Sequence, residues 1–150
     1  MQTVLEVKQV TKQYGQQYAL DHVSLSIQKG DIYGLIGKNG AGKTTLLKTI
    51  SRLIHANSGT VSVFGSQNSK EWNEALRKIG TVIETPVAYN QMTAYQNLNY
   101  YCKVHQIAQP DQLIKETLAY VGLSNTGKKK LRNFSLGMKQ RLGIAIALMS

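Results

Sequence analysis

The sequence contains little cysteine, little proline and few acidic side chains. One of its 150 residues is cysteine, two are proline and eight are aspartate or glutamate. The lone Cys102 excludes an internal disulfide, which agrees with a reducing cytosol. No apolar run approaches the roughly 20 residues that a membrane-spanning helix needs, and residues 1–9 lack the basic and then apolar pattern of a secretory signal. Hydrophobic residues make up 42% of the chain, so we expect a globular domain with a packed core.

The shortage of acidic residues leaves a strongly basic chain. Eighteen lysines and arginines against eight acidic residues give a formal net charge of +10. Such a charge favours anionic partners, namely nucleic acid, nucleotides or an acidic membrane face. The densest cationic cluster consists of Lys128, Lys129, Lys130 and Arg132. It has no interleaved aromatic residues and no evident helix face, so the pattern favours a solvated loop over a nucleic-acid site.

The first half of the chain alternates between the periodicities of strands and helices. Alternating or short apolar runs predict strands, and apolar residues three or four apart predict helices. Lys29, Gly30 and Asp31 predict a turn. The predicted strands cover residues 4–10, 23–27, 32–36, 60–64 and 79–84, and the predicted helices cover residues 43–53 and 71–77.

The second half of the chain has helical patterns only, and the organisation changes after Pro86. Thr93 followed by Gln96 is a capping-box pattern, which predicts the start of a helix. Another helix is predicted to start at Pro110 and to end at Gly122. Its inner face carries Leu113, Ile114, Leu118 and Val121.

The strongest chemical signal lies between a predicted strand and a predicted helix. Residues 37–44, G-K-N-G-A-G-K-T, match the pattern G-x-x-x-x-G-K-[ST] in the context that it requires. Glycines let many backbone N–H groups approach a phosphate chain, and a helix N-terminus adds a partial positive charge. Lys43 supplies a full charge to the β- and γ-phosphates, and Thr44 supplies a hydroxyl for Mg²⁺. The nucleotide-binding residues predicted here are Gly37, Asn39, Gly40, Ala41, Gly42, Lys43, Thr44 and Thr45.

This phosphate loop (residues 37–44) predicts a nucleoside triphosphate site. The alternative is a glycine-rich turn that merely precedes a helix, and eight matched positions in the right context weigh against it. The loop alone does not specify what the energy of the triphosphate is used for.

A second motif lies at residues 133–148, which read N-F-S-L-G-M-K-Q-R-L-G-I-A-I-A-L. Together with the phosphate loop, this signature segment resembles that of the ATP-binding-cassette (ABC) ATPases, whose motif reads L-S-G-G-Q before a basic and then apolar helix. Ser135 and Gly137 match that motif. Phe134, Leu136 and Met138 replace its first, third and fifth residues. The resemblance extends over essentially the whole chain.

The resemblance implies an α/β fold. Its parts are a P-loop NTPase core of the ABC type, with an N-terminal antiparallel β part, and an α-helical subdomain, truncated before the Walker B strand. In the family that strand ends in Asp-Glu, and no predicted strand here ends in this pair. The implied domains are an ATP-binding core at residues 1–86 and the helical subdomain with the signature segment at residues 87–150. We therefore expect the 150-residue chain alone to hydrolyse ATP poorly.

The resemblance assigns two further side chains to bound ATP and Mg²⁺. Tyr14 occupies the place of an aromatic residue that stacks on adenine, and an aromatic that fills the core is the alternative. Glu84 stands where the family usually has a glutamine that reaches Mg²⁺ and the attacking water. This implies a catalytic and metal-binding role alongside Thr44, and an exposed loop glutamate is the alternative. With Thr85 and Pro86 after it, Glu84 resembles the subgroup of bacitracin- and lantibiotic-type peptide export and self-protection.

The family mechanism implies the partners and the location. Two ATP-binding subunits form a head-to-tail homodimer, in which Ser135, Gly137 and Met138 contact the ATP on the opposite phosphate loop. Closure of the dimer moves a transmembrane permease subunit, so the protein is expected as a peripheral subunit at the cytoplasmic face of the plasma membrane. The implied function is ATP hydrolysis coupled to transport across the membrane. For this subgroup, the transported molecule is expected to be an antimicrobial peptide. Nucleic acid is not an expected partner.

Two other functions stay open from the sequence. A soluble ABC-type ATPase acting on ribosomes or DNA shares both motifs and suits the basic charge. Such ATPases usually contain two cassettes or a long insert, so the start of a single cassette in this sequence favours transport. A non-hydrolysing nucleotide-binding fragment is the second alternative. A protein metal site is not predicted, because the histidines have no metal-ligand spacing to each other or to Cys102. They are His22, His55 and His105.

Overall fold

The computed structural model describes residues 2–66, 69–84 and 88–149, and the chain divides into two compact units, Met1–Lys78 and Ile79–Ser150. Each unit has its own cluster of buried apolar side chains. No helix within the described ranges is both long enough and apolar enough to span a bilayer.

The first unit is built on an antiparallel sheet in which β1 (Thr3–Tyr14) lies between β2 (Gln17–Gln28) and β3 (Ser58–Val63). Gly15, with a φ of 58°, lies in the tight turn between β1 and β2, where glycine tolerates the left-handed backbone. Because the alternating side chains of β1 and β2 share one apolar face, the sheet buries that face against a helix. The residues of this core are Val7, Val10, Leu20 and Leu46.

Two helices of the first unit follow the predicted positions. They are α1 (Lys43–Ile50) and α2 (Ser69–Leu76). The helix predicted at residues 43–53 ends three residues early, because the backbone turns left-handed at Arg52, where φ is 55°. An α-helix cannot continue through that conformation.

The strand predicted at residues 32–36 is wrong. The segment has no regular secondary structure, and the side chains of Ile32 and Ile36 are exposed to solvent. A strand needs a neighbour for its N–H and C=O groups, and no strand in the described ranges pairs with this segment. A continuous apolar run is typical of a strand that is buried on both faces. In the described residues, no element covers the two faces of this segment.

The strand predicted at residues 79–84 is also wrong. This segment of the second unit is irregular, and no described strand pairs with it. It lies instead against helix α5 (Leu136–Leu148), so closely that a Cβ on Gly80 would be 1.9 Å from the carbonyl oxygen of Ala147. Backbone contact with a helix therefore replaces the predicted ladder.

The second unit is helical, as predicted. Before α5 it contains α3 (Ala94–Val104) and α4 (Pro110–Tyr120), and short 3₁₀ turns at Ser124–Thr126 and Leu131–Asn133. Burial raises the pKa of the Cys102 thiol, so this side chain stays protonated near neutral pH. The most deeply buried residues of this core are Ala94, Leu98, Cys102, Ile114, Leu123, Leu142 and Ala145.

Thr93→Ala should lower the free energy of unfolding by about 1 kcal/mol. The Thr93 hydroxyl accepts a hydrogen bond from the Gln96 N–H at 3.1 Å, and the Gln96 side chain accepts one from the Thr93 N–H at 2.9 Å. Alanine leaves the first bond unmade at the start of α3. Urea denaturation of the full-length protein measures the effect, with the exposed Thr81→Ala as the control. An equal loss in both variants would contradict the capping role.

Candidate nucleotide-binding site

The first unit contains a cavity of about 380 Å³ between the phosphate loop and the β1–β2 hairpin. Eight of the nine predicted nucleotide-binding residues, Tyr14 included, line it. Gly37 is the exception, and its carbonyl oxygen instead accepts a hydrogen bond from Lys43. The lining residues are Tyr14, Gln17, Tyr18, Ala19, Asn39, Gly40, Ala41, Gly42, Lys43, Thr44 and Thr45.

Gly42 fixes the position of the phosphate loop on strand β2. It caps the N-terminus of α1 with a φ of 87° and a ψ of 1°, a left-handed conformation that suits glycine. A Cβ at this position would lie 2.2 Å from the carbonyl oxygen of Ala19 and 3.1 Å from Leu20 Cδ2. Gly40 is also left-handed, with a φ of 83°, but a Cβ there would meet open space. The close approach of loop and strand therefore depends on Gly42 in particular.

The N-terminus of α1 faces the cavity with its amides uncapped. No side chain in the described part of the chain caps this end, and the Leu46 N–H donates to the Gly42 carbonyl at 2.8 Å. The N–H groups of the first turn before Leu46 have no acceptor within the helix. They form a partially positive surface that suits phosphate oxygens.

The side chain of Lys43 lies over the phosphate loop. Its ammonium group donates to the carbonyl oxygens of Gly37 and Lys38, both at 2.7 Å. These two bonds hold a full positive charge beside the amides of the loop. A polyphosphate bound to those amides therefore meets the ammonium without a large movement of the backbone.

Tyr14 ends β1 at the opposite side of the cavity. The residue is 53% exposed, so its ring does not fill the core as the alternative interpretation required. The ammonium of Lys12 lies 5.1 Å from the ring centroid, a cation–π distance. An exposed, flat ring at this place suits the stacking of a nucleotide base.

The predicted metal-binding side chains lie in different units. Thr44 is half-buried in the cavity wall of the first unit. Glu84 is an exposed residue of the second unit with a left-handed φ of 61°, and Thr85 and Pro86 lie outside the described residues. Hydroxyl and carboxylate oxygens are the donors that Mg²⁺ prefers. No cluster of three or more His, Cys, Asp or Glu side chains forms a separate metal site in the described residues.

The signature segment begins α5 in the second unit. The Ser135 hydroxyl accepts a hydrogen bond from the Met138 N–H at 3.3 Å and so caps the helix. A Cβ on Gly137 would meet nothing within 4 Å, so the packing of this chain does not require a glycine there. The Lys129 ammonium lies 3.9 Å from Met138 Sδ and 5.9 Å from the centroid of the Phe134 ring. Ser135, Gly137 and Met138 thus share one helix start.

The sequence interpretation missed three residues of the cavity wall, namely Gln17, Tyr18 and Ala19. No sequence signal could have found them, because the register shift between Lys12 and Gln13 makes Ala19 an extra residue of β2 and interrupts the alternation of this strand.

Comparison with known proteins connects this geometry to a family. The family described as ABC transporter matches residues 20–150. The chain is 44% identical over 149 residues to the bacitracin transport ATP-binding protein BcrA of Bacillus licheniformis. It is 40% identical over 148 residues to the lantibiotic transport ATP-binding protein SrtF of Streptococcus pyogenes.

Solved structures with the same fold are ATP-binding proteins. An ATP-binding subunit of an ABC transporter superposes with a TM-score of 0.81 at 28% identity, covering 97% of this chain and 62% of that chain. An ATP-binding cassette in its ADP conformation gives 0.77 at 25% identity, covering 99% and 65%.

The relatives are longer than this chain. The match to BcrA covers 99% of this chain and 48% of BcrA, and the match to SrtF covers 98% and 62%. This chain therefore spans about half to three fifths of the length of these curated relatives.

Proposed function

Because this chain belongs to the ABC transporter family, we propose that the intact protein is the ATP-binding subunit of a membrane transporter and hydrolyses ATP to drive transport. The cavity between the phosphate loop and the β1–β2 hairpin carries this proposal. It combines loop amides and an ammonium group at one end with an exposed aromatic ring at the other. These are the groups that a nucleoside triphosphate needs.

Each part of the cavity then has a role toward MgATP. The amides of residues 40–45 and the Lys43 ammonium bind the phosphates, and the Tyr14 ring stacks on adenine. The Thr44 hydroxyl and the Glu84 carboxylate are the groups that would hold Mg²⁺, and the bound ion would supply positive charge to the phosphates. Glu84 also positions the attacking water. In this proposal the ATP-binding core is residues 1–86 and the helical subdomain is residues 87–150.

A second copy completes the site in the proposed mechanism. Ser135 and the Gly137 N–H, at the start of α5, contact the γ-phosphate held by the partner subunit, and Met138 borders that contact. Gly137 supports this role, because a Cβ built at this position would meet no atom of the described residues within 4 Å. Hydrolysis therefore requires the dimer, and this chain alone is expected to turn over slowly.

The relatives' names suggest the cargo. BcrA is named for bacitracin transport and SrtF for lantibiotic transport. We propose that the intact protein serves the export of an antimicrobial peptide, as a peripheral subunit of a transmembrane permease at the cytoplasmic face of the plasma membrane. A tagged full-length protein should co-purify with a membrane-spanning subunit. Sedimentation with ribosomes or retention on DNA would favour the soluble ATPase instead.

Glu84→Ala should lower Mg²⁺-dependent ATPase turnover of the full-length protein by at least about tenfold, a typical effect of losing a group that positions the reactants. Alanine removes the carboxylate that approaches the ion and the water. Isothermal titration with ATP, with Mg²⁺ and with EDTA, together with phosphate release, measures both binding and turnover. Glu116→Ala, which removes another exposed carboxylate of the second unit, is the control. Unchanged turnover and unchanged Mg²⁺ dependence would exclude the metal role.

A further inference from the structure

Lys12 is a half-buried lysine of β1 that lies outside both the phosphate loop and the signature segment. Among the described residues it takes part in no ion pair and in no side-chain hydrogen bond. Its ammonium lies instead 5.1 Å from the centroid of the Tyr14 ring. The ring contact is therefore the interaction that fixes where this charge lies, and the ring belongs to the wall of the nucleotide cavity.

The strand register places Lys12 and Tyr14 on one face of β1. They are two positions apart, and residues at that spacing leave a strand on the same side. Lys12 pairs with Leu20, and directly paired residues of an antiparallel ladder share a face. Leu20 packs in the core with Leu46 of α1. The side chains of Lys12 and Tyr14 therefore leave the sheet on its core side, and Tyr14 ends this row at the cavity.

The ammonium occupies one face of the Tyr14 ring and leaves the other face open. Tyr14 lines the cavity and Lys12 does not, so the face opposite the ammonium is the one that a ligand in the cavity can reach. The residue is 53% exposed, so the core alone does not hold the ring in one orientation. A cation over a ring is attracted to its π-electrons and favours the orientations that keep this contact. Fixing the ring before the ligand arrives lowers the entropic cost of binding.

We propose that Lys12 is a positioning residue of the nucleotide site, whose ammonium holds the Tyr14 ring by one face so that the opposite face receives the nucleobase. This inference rests on the proposed function, since it requires a nucleotide in the cavity. Lys12 then acts on the base end of the nucleotide only, and the phosphates stay with Lys43 and the loop amides. A second phosphate-binding cation is the other role that a lysine here could have, and the experiment distinguishes the two.

Isothermal titration of the full-length protein with ATP and with inorganic tripolyphosphate tests this role. Lys12→Met removes the charge and keeps an unbranched side chain. It should weaken ATP binding by about two- to fivefold, as expected for the loss of an exposed cation–π contact, and leave tripolyphosphate binding unchanged. Lys12→Arg keeps a cation and should bind ATP as the parent does. Lys29→Met, at an exposed lysine of the same unit, is the matched control and should change neither affinity.

A double-mutant cycle separates the contact with the ring from a direct effect of the charge. With Tyr14→Leu in place the ammonium has no ring to hold, so adding Lys12→Met should weaken ATP binding no further. An equal loss with and without the ring, or weaker tripolyphosphate binding in Lys12→Met, would show a contact with the phosphates and overturn the positioning role. Unchanged ATP affinity in Lys12→Met would overturn it as well.

The same titrations separate this inference from the proposed function. Lys43→Ala should weaken both ligands, because it removes a phosphate contact. If Lys43→Ala weakens both while Lys12→Met binds ATP normally, the role of Lys12 is overturned and the nucleotide site stands. If Lys43→Ala changes neither ligand, the proposed function and this inference are both overturned. Circular dichroism of the variants at Lys12 and Tyr14 checks that they are folded.

Discussion

In the full-length protein, Lys43→Ala should weaken ATP binding by about 100-fold, which is equivalent to roughly 3 kcal/mol. The Lys43 ammonium is the only full positive charge among the lining residues of the cavity, and it lies beside the loop amides that bind phosphate. Charge-assisted hydrogen bonds to phosphate are stronger than neutral ones. Alanine removes these bonds and leaves the rest of the loop intact.

The control for this variant is a lysine of the same unit outside the cavity. Lys70→Ala, on the exposed surface of α2, removes the same charge and should change ATP affinity by less than about twofold because exposed, distant charges are screened by salt. Equilibrium titration with ATP and Mg²⁺ measures both variants. Normal affinity in Lys43→Ala, or equal losses in the two variants, would contradict the phosphate role of the loop.

Gly42→Ala should lower the free energy of unfolding by about 3 kcal/mol or more. An alanine in the left-handed region costs about 1–2 kcal/mol, and forcing a methyl group into a filled space costs about 1–3 kcal/mol. The methyl group would lie 2.2 Å from the Ala19 carbonyl oxygen, so the loop must leave β2 or the strand must shift. ATP binding should be lost together with stability, because this contact joins the two walls of the cavity.

Gly40→Ala separates the two penalties. Gly40 has nearly the same φ as Gly42, but a Cβ at Gly40 meets nothing within 4 Å. This variant should therefore lose only about 1–2 kcal/mol, the conformational cost. Urea denaturation of both variants gives the difference. Equal losses would show that backbone conformation, and not the contact with β2, makes glycine necessary at residue 42.

The sequence predicted the parts of the molecule that depend on neighbouring residues. The phosphate loop is a pattern of eight consecutive positions, and its lysine and glycines act through local backbone geometry. The capping box at Thr93 and Gln96 is likewise local, and both of its hydrogen bonds are present. The family inferred from the two motifs is confirmed by the match over residues 20–150.

Features that depend on distant contacts were not predicted. The contact between Gly42 and Ala19 joins residues on separate elements, and no spacing in the sequence predicts it. Tyr18 belongs to the cavity wall because β2 supports the loop, which the strand pattern alone does not reveal. The apolar runs at residues 32–36 and 79–84 predicted strands, but apolarity signals burial and does not supply a partner strand. The roles of Glu84 and of the signature residues stay predictions.

The β1–β2 hairpin sets the distance between the Tyr14 ring and the phosphate loop. The residue of β2 that supports Gly42 lies two positions after the residue that pairs with Tyr14, a spacing of about 7 Å along a strand. Inserting one amino acid between them would lengthen that spacing and turn the intervening side chain to the opposite face of the sheet. Both recognisable motifs would survive such an insertion unchanged, and yet the ring and the loop would no longer fit one molecule of ATP.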